Sequence, residues 1–435
     1  MDEQGASRLR RALAVAALVT LMAGDALRNL LSWWGFAAVA LLVLVASAWA
    51  LLRSGVDRRR VPVSLILFVG FAALSIAWSF YPGASAVGVG LTVATTTVAL
   101  FLALGLPWLD LVDALQIALR WILALSLLLE LFVAVVIRGP LLPLWVDYSQ
   151  LDEIPRAFYW SRGLLLEGGR IQGIVGNANL LGMLALVALI VGLACLIARR
   201  GSRPWNVFWA VVALAALLLT RSTTVLVAGV AVAAVVAVAA FVKRLSGPSR
   251  TAAQLGALVI GVVVIGLVVA FRDALLQLAG RSPDLTHRVE IWRLVFDLAV
   301  ERPVAGWGWV SWWAPWVEPY DDLVVIDGVT YLQAHNAWLD VLLQLGALGL
   351  IVFAVLAAGT LWRSWLMAAE PGRPLLDGLL PLALLTALFM QSLAESRMLV
   401  EWGWALLVVL AVRSTARSAP PAVPAAAGSS GGGMR

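Results

Sequence analysis

"VLLQLGALGLIVFAVLAAG" (341–359) contains no charged residue, and Gln344 is its one strongly polar side chain. A run of this length crosses a bilayer core as helix, because lipid offers the backbone no other hydrogen-bond partner. Directly upstream stands "YLQAHNAWLD" (331–340), with His335, one of two histidines among 435 residues. The rest of the chain repeats the apolar pattern. It is 62% hydrophobic, with a mean hydropathy of +0.95, whereas soluble domains are about half apolar. Apolar segments recur near 12–31, 34–52, 61–79, 84–105, 111–137, 178–198, 205–219, 222–242, 254–272, 337–362, 376–393 and 398–412. Each has roughly the ~20 residues that a bilayer requires. The expected fold is all-α: a polytopic membrane bundle of about twelve transmembrane helices. One bundle can use nearly the whole chain, so residues 1–417 are expected to form a single transmembrane domain.

The short basic stretches set the expected orientation. "RLRR" (8–11), "RSGVDRRR" (53–60), "ARRGSR" (198–203), "KRLSGPSR" (243–250), "LWRSW" (361–365) with Arg373, and "VRSTAR" (412–417) alternate onto one side. That side is expected to be cytoplasmic, with both termini. The first apolar run lacks a small-residue cleavage site and is expected to stay as a helix. The tail at 418–435, rich in Pro, Ala, Gly and Ser, is expected to be disordered.

Two long segments, 138–177 and 273–336, then fall on the outer side, and long loops are usually functional. "HRVEIWRLVFDLAVERP" (287–303) reads as a short amphipathic helix with Val289, Trp292, Val295, Phe296 and Ala299 on one face, stopped by Pro303. Its sequel "VAGWGWVSWWAPWVEP" (304–319) suits a membrane–water interface, where indole rings concentrate. A sugar-stacking platform is the alternative. The outer segments are unexpectedly rich in arginine: Arg138, Arg156, Arg162, Arg170, Arg272, Arg281, Arg288, Arg293 and Arg302, with Arg221 at the outer mouth of the eighth span. An arginine there needs a partner or must snorkel. Pairing with Asp152, Glu153, Glu290 or Glu301 would suffice for most of them.

The excess charge is almost all arginine, Lys243 being the only lysine. A basic soluble domain is missing, which argues against a nucleic-acid partner. Membrane lipids are the expected anionic surroundings. Cys195, the only cysteine, lies in an apolar run and reads as packing. No Cys/His cluster has metal-ligand spacing, so neither a metal nor a cofactor is expected.

Five stretches, in order, resemble the O-antigen ligase family, membrane glycosyltransferases that move a glycan from a polyprenyl diphosphate carrier to an acceptor. "LSIAWSFYPGAS" (74–85) is similar to the family's Trp-Ser-x-x-Pro turn. "GRIQGIVGNANLLG" (169–182) resembles its Arg-x-x-Gly…Asn-Pro-Asn segment, with Ala178 where proline is usual. "LLLTRSTTVLVAG" (217–229) resembles a Ser-Arg-Gly segment with the Ser/Arg order altered. "HRVEIWRLVFDLAVERPVAGWGW" (287–309) resembles an Arg…Trp…Pro-x-x-Gly-x-Gly block. "AHNAWLDVLLQLGALGL" (334–350) resembles a His-Asn-x-x-Leu…Glu-x-Gly-x-x-Gly block, with Gln344 replacing the usual acid.

The resemblance implies transfer of a glycan from an undecaprenyl (polyprenyl) diphosphate donor, at the outer face of the bacterial cytoplasmic membrane. The acceptor would be a lipid, lipoglycan or protein. It implies that Arg221, Arg288 and His335 carry the catalysis. The chemistry suits those residue types. Guanidinium groups stabilise the charge that grows on a departing diphosphate. A neutral imidazole can take the proton of an attacking hydroxyl. Single displacement without an enzyme nucleophile would invert the anomeric centre. For His335 the alternative is a helix-terminal residue bonded to backbone. Arg170 is a further candidate for carrier phosphate. Asn177 and Asn179 would bind donor or cap the span that starts there. His287 would be a second phosphate contact or structural, and Asn336 and Trp292 are candidate substrate contacts. A glycan polymerase of the same superfamily would use the same donor. A lipid-linked sugar transporter is disfavoured, because no paired repeat or mid-membrane charge cluster is visible.

Overall fold

The computed structural model describes residues 3–55, 57–149, 153–270, 288–326 and 328–415. The expected tail at 418–435, His287, Asp152, Arg272 and Arg281 lie outside them. The described chain is almost entirely helical: α1 (Glu3–Met22), α2 (Gly24–Arg53), α3 (Val63–Leu74), α4 (Pro82–Leu104), α5 (Trp108–Phe132), α6 (Ala178–Ile197), α7 (Arg203–Leu219), α8 (Thr223–Val242), α9 (Gly247–Ala270), α10 (Arg288–Ala299), α11 (Ala337–Ala369), α12 (Leu375–Ser392) and α13 (Glu401–Ser414). The strands described are two-residue pieces, Val325–Ile326 paired with Val329–Thr330.

The described parts of all twelve apolar segments fall mainly on helices, but fewer of these helices are long and apolar enough to span a bilayer. Seven are long and apolar enough to cross a membrane: α2, α4, α5 with its continuation to Ile137, α6, α8, α11 and α12. The other segments fall short for visible reasons. α3 and α7 are short, and α13 has 14 residues. The first turns of α1 carry Arg8, Arg10 and Arg11, and α9 runs to the edge of the described residues. The first expected span, 12–31, is also not one helix. The chain breaks at Ala23, and again at Ser32, whose φ of 66° is left-handed.

The helices form one bundle in which α6 packs on α7, α11 on α12, α8 on α12, α4 on α13 and α1 on α5. Helices in lipid gain little from burying apolar surface, so close packing and buried hydrogen bonds must hold them. The aromatic knot at the centre fits that need. Phe68 meets Trp309 at 5.5 Å, Phe353 at 5.4 Å and Trp404 at 5.3 Å between ring centroids. The Trp309 indole donates to Thr92 Oγ1 at 2.9 Å, and that of Trp404 to Thr96 Oγ1 at 2.8 Å. The tryptophan-rich stretch is therefore partly core. Trp309 and Trp313 are fully buried, whereas Trp316 is 76% exposed.

The span read as continuous over 337–362 is opened at Gly346, where φ is 63° and ψ is −167°. The segment after α10 fills that opening. Trp307 and Gly308 donate their backbone N–H to the carbonyls of Leu343 (3.1 Å) and Gln344 (2.9 Å). Ala347 and Leu348 donate in turn to Pro303 (2.7 Å) and Val304 (3.1 Å). Both strands need glycine at the contact: a Cβ on Gly346 would lie 2.3 Å from the Val304 backbone, and one on Gly306 2.5 Å from that of Gln344. Broken helix at membrane depth is tolerated only where protein re-satisfies the freed groups, as here. Gln344 completes the junction. It is fully buried, and its Oε1 accepts from the N–H groups of Val310 (2.9 Å) and Ser311 (3.0 Å). The amide oxygen thus does what a carboxylate could do at this position. Gln344→Ala would leave two donors unmet and is expected to destabilise the protein by about 3 kcal/mol, at ~1–3 kcal/mol per buried unpaired group. Gln344→Glu keeps the acceptor and should cost less. Thermal unfolding of the two variants in detergent checks the difference, and equal melting temperatures would contradict it.

α10 forms as expected but turns a different face inward. Ile291, Val295 and Ala299 are buried, at four-residue spacing, with Trp292 and Leu298 beside them. Val289 and Phe296, expected on the inner face, are 39% and 49% exposed. The narrow ridge ending in Ala299 lets α10 lie close against α11, which a face carrying Phe296 would not allow.

Candidate active site

Segments distant in sequence meet at one end of the bundle on a single buried carboxylate. Glu395 lies in the turn between α12 and α13, 4% exposed. Its Oε1 accepts from Arg288 Nη2 at 2.9 Å and from Asn179 Nδ2 at 3.0 Å. Its Oε2 lies 2.9 Å from His335 Nδ1. Burial alone would raise the Glu395 pKa. The adjoining His335, Arg288 and Asn179 outweigh it and hold the carboxyl down at about 2. A carboxylate at Nδ1 selects the tautomer with the proton on that nitrogen and leaves Nε2 as the acceptor. His335 is 18% exposed, so its second nitrogen can reach a reactant.

The backbone holds the imidazole in a constrained place. His335 has a φ of 48°, in the left-handed region. Non-glycine residues there cost of order 1–3 kcal/mol and persist only where the surroundings impose them. Here both neighbours are tied. Ala334 N–H donates to Asp340 Oδ2 at 3.1 Å, and Asn336 N–H to Ser396 Oγ at 3.2 Å. The Ser396 hydroxyl in turn donates to Asp340 Oδ2. Tyr331 meets the His335 ring edge to face at 5.8 Å.

A second layer continues from Asn179. Its Oδ1 accepts from Arg170 Nη2 at 2.7 Å and from Ser222 Oγ at 2.9 Å. Arg170 Nε also donates to the carbonyl of Thr220 at 3.0 Å. Arg221 therefore sits between two residues fixed to this network. It too has a left-handed φ, 48°. Its side chain is exposed and makes no hydrogen bond or ion pair among the described residues. It lies over the loop before α6, where a Cβ on Gly168 would be 3.4 Å from Nη2. That loop is anchored from α5. Glu130, 1% exposed, accepts from the N–H groups of Gln172 (2.8 Å) and Gly173 (2.7 Å) and from Ser161 Oγ (3.0 Å).

The expected site residues divide clearly. His335, Arg288, Asn179 and Arg170 are one connected network, with Arg221 at its rim. Asn177 and Asn336 are helix caps: Asn177 Oδ1 accepts from Asn179 and Leu180 N–H, and Asn336 Oδ1 from Trp338 and Leu339 N–H. Capping accounts for both without a substrate. Trp292 packs against the cluster under α10. Glu395 and Glu130 were not anticipated, though each is a carboxylate in or beside an apolar segment, the kind of residue that marks a functional site in membrane proteins. Among the described residues, no group of three or more His, Cys, Asp or Glu could hold a metal ion.

Residues 208–354 match the family described as O-antigen ligase. The match takes in most of α7, all of α8, and Arg221, Arg288 and His335, and stops before Glu395. No curated protein matches the chain.

Proposed function

From the assignment of residues 208–354 to the O-antigen ligase family, we propose that this protein transfers a glycan from a polyprenyl diphosphate carrier to an acceptor hydroxyl. The match and the seven helices of membrane-crossing length support a multi-pass membrane protein of O-antigen ligase/polymerase type, acting on a lipid-linked glycan. The observation that carries the reaction is the Glu395–His335 pair, with Arg288 on the same carboxylate.

In this reading the acceptor hydroxyl gives its proton to His335 Nε2 as its oxygen attacks the anomeric carbon. The glycosidic C–O bond to phosphate breaks, and the electron pair leaves on the polyprenyl diphosphate. Glu395 holds the imidazole and stabilises the imidazolium that forms. Arg288 spends one N–H on Glu395, and its other donors remain for a phosphate oxygen. Arg221, unpaired at the rim, is the second phosphate contact, and Arg170 supports it through Thr220 and Asn179. A guanidinium facing growing charge in a water-poor site is worth more than in bulk water. Attack in a single displacement would invert the anomeric centre. The reaction is taken to need no metal and to occur at the outer face of the bacterial inner membrane, the face opposite the short basic connections in a positive-inside arrangement of about twelve spans.

The test is a deletion strain whose envelope glycans are read by mass spectrometry, alongside transfer by the purified protein in liposomes with chelator present. Full-length carrier-linked glycan should accumulate beside unmodified acceptor. Carrier-linked single repeat units would instead mean a polymerase, with a second carrier-linked glycan as acceptor. Normal envelope glycans would overturn both.

A further inference from the structure

α6 and α7, which bring Asn179 and Thr220 to the candidate site, carry a second polar feature at their other ends. The twenty residues of α6 rise ~30 Å, so the turn at 198–202 lies about a bilayer core away from Asn179. A cavity of about 490 Å³ opens at that turn, lined by Arg199, Arg203 and Asn206 together with Cys195, Leu196 and Ile197.

The charges around it are unevenly satisfied. Arg200 is spent on Asp113, with contacts of 2.8 and 2.7 Å. Asp110 is spent on Arg11 at 2.6 Å. Asn206 forms a fixed floor, its Oδ1 accepting from Arg120 at 2.8 Å and its Nδ2 donating to the Arg200 carbonyl at 2.7 Å. Arg199 and Arg203 are left over. Both are exposed, and neither side chain makes a hydrogen bond or ion pair among the described residues. Two uncompensated guanidinium groups at the mouth of one cavity call for an anion.

The surroundings say what kind of anion. Ile197, Trp205 and Phe208 beside the cavity are 68%, 51% and 52% exposed, and the last two stack at 5.7 Å. An inorganic anion would use the arginines and leave this apolar strip bare, whereas a lipid phosphate brings acyl chains to cover it. We propose that this cavity binds the headgroup of an anionic glycerophospholipid, with the phosphodiester between Arg199 and Arg203 and the chains along Ile197, Trp205 and Phe208. Guanidinium forks match phosphate geometry, and basic pockets between membrane helices bind anionic headgroups in general. Charges that serve only to orient a membrane protein need neither a cavity nor a fork. The inference is independent of the glycan reaction at the other end.

Native mass spectrometry of the full chain in detergent, titrated with phosphatidylglycerol or phosphatidylcholine, tests it. Phosphatidylglycerol should be retained and phosphatidylcholine lost. Arg199→Ala/Arg203→Ala should weaken phosphatidylglycerol retention about thirtyfold, with ~1 kcal/mol for each of the two basic residues and tenfold per ~1.4 kcal/mol. Arg59→Ala/Arg244→Ala removes equal charge from other basic turns and should change it less than about twofold. Equal losses in both pairs, equal binding of the two lipids, or displacement by millimolar inorganic phosphate would each overturn the proposal. If the alanine pair does not survive solubilisation, Arg199→Lys/Arg203→Lys carries the test. That pair keeps the charge but loses the fork, so about threefold weaker retention supports the site and unchanged retention contradicts it.

Discussion

Glu395→Gln is expected to lower glycan transfer by ~10³–10⁴-fold, the loss typical when a buried acid behind a catalytic histidine becomes an amide. The carboxylate receives three donors, from Arg288 and Asn179 on Oε1 and from His335 on Oε2. Glutamine offers one oxygen and one NH2. Whichever way the amide turns, an N–H faces either the imidazole or the Arg288–Asn179 pair. The imidazole then loses its proton anchor, or the arginine is left unpaired where it is only 14% exposed. Stability should fall as well, by roughly 3 kcal/mol, because breaking one partner of a buried pair strands the other. The pH dependence of that stability has a definite sign. The folded pKa, about 2, is depressed below the ordinary glutamate value of ~4.3. The stabilisation is therefore complete above about 4.3 and is lost as pH falls through the folded value. Below about pH 4.3 the melting-temperature gap between wild type and Glu395→Gln should narrow as pH falls toward the folded value. Donor binding by the variant separates lost chemistry from lost structure. Transfer within tenfold of wild type by a folded Glu395→Gln protein would sink the dyad.

That the decisive acid was not anticipated has a physical reason. The outer arginines stand out against the positive-inside tendency, and the histidine by its rarity. Glu395 sits in "SLAESRM" (392–398), which reads as the junction of two apolar runs. Its importance arises from four segments converging in space, information that no local window holds. Glu130 is similar: its partners lie more than thirty residues away on the loop at 161–173. Both were nonetheless detectable as ionisable groups within or beside lipid-compatible sequence. Helix existence was legible almost everywhere, because hydropathy averages over a turn or two. The breaks at Ser32 and Gly346 were not, for the same reason. The Gly346 opening is stable only because the backbone at 303–308 fills it, a contact made across some forty residues. The caps Asn177 and Asn336 were legible as asparagines placed immediately before apolar runs. The candidate catalytic role of Arg221 was legible only through family resemblance, and its left-handed backbone is a feature of the folded chain alone.

His335→Gln is expected to retain donor binding while losing ~10²–10⁴-fold in transfer, the range that a positioned general base contributes. Glutamine can place an amide near the acceptor hydroxyl and near Glu395, but it cannot take the proton. The arginines that would hold the diphosphate are untouched, so the donor should still bind. A histidine that served only as a packed loop residue would behave differently. Its left-handed φ of 48° is imposed by Asp340 and Ser396 gripping the backbone on either side, and that grip survives the substitution. A structural role would therefore show in melting temperature with little effect on turnover. Steady-state transfer by His335→Gln and wild type in the same liposomes, with donor binding measured in parallel, decides the matter. Near-wild-type turnover by the glutamine variant would mean that His335 only positions the acceptor and that the proton leaves by another route.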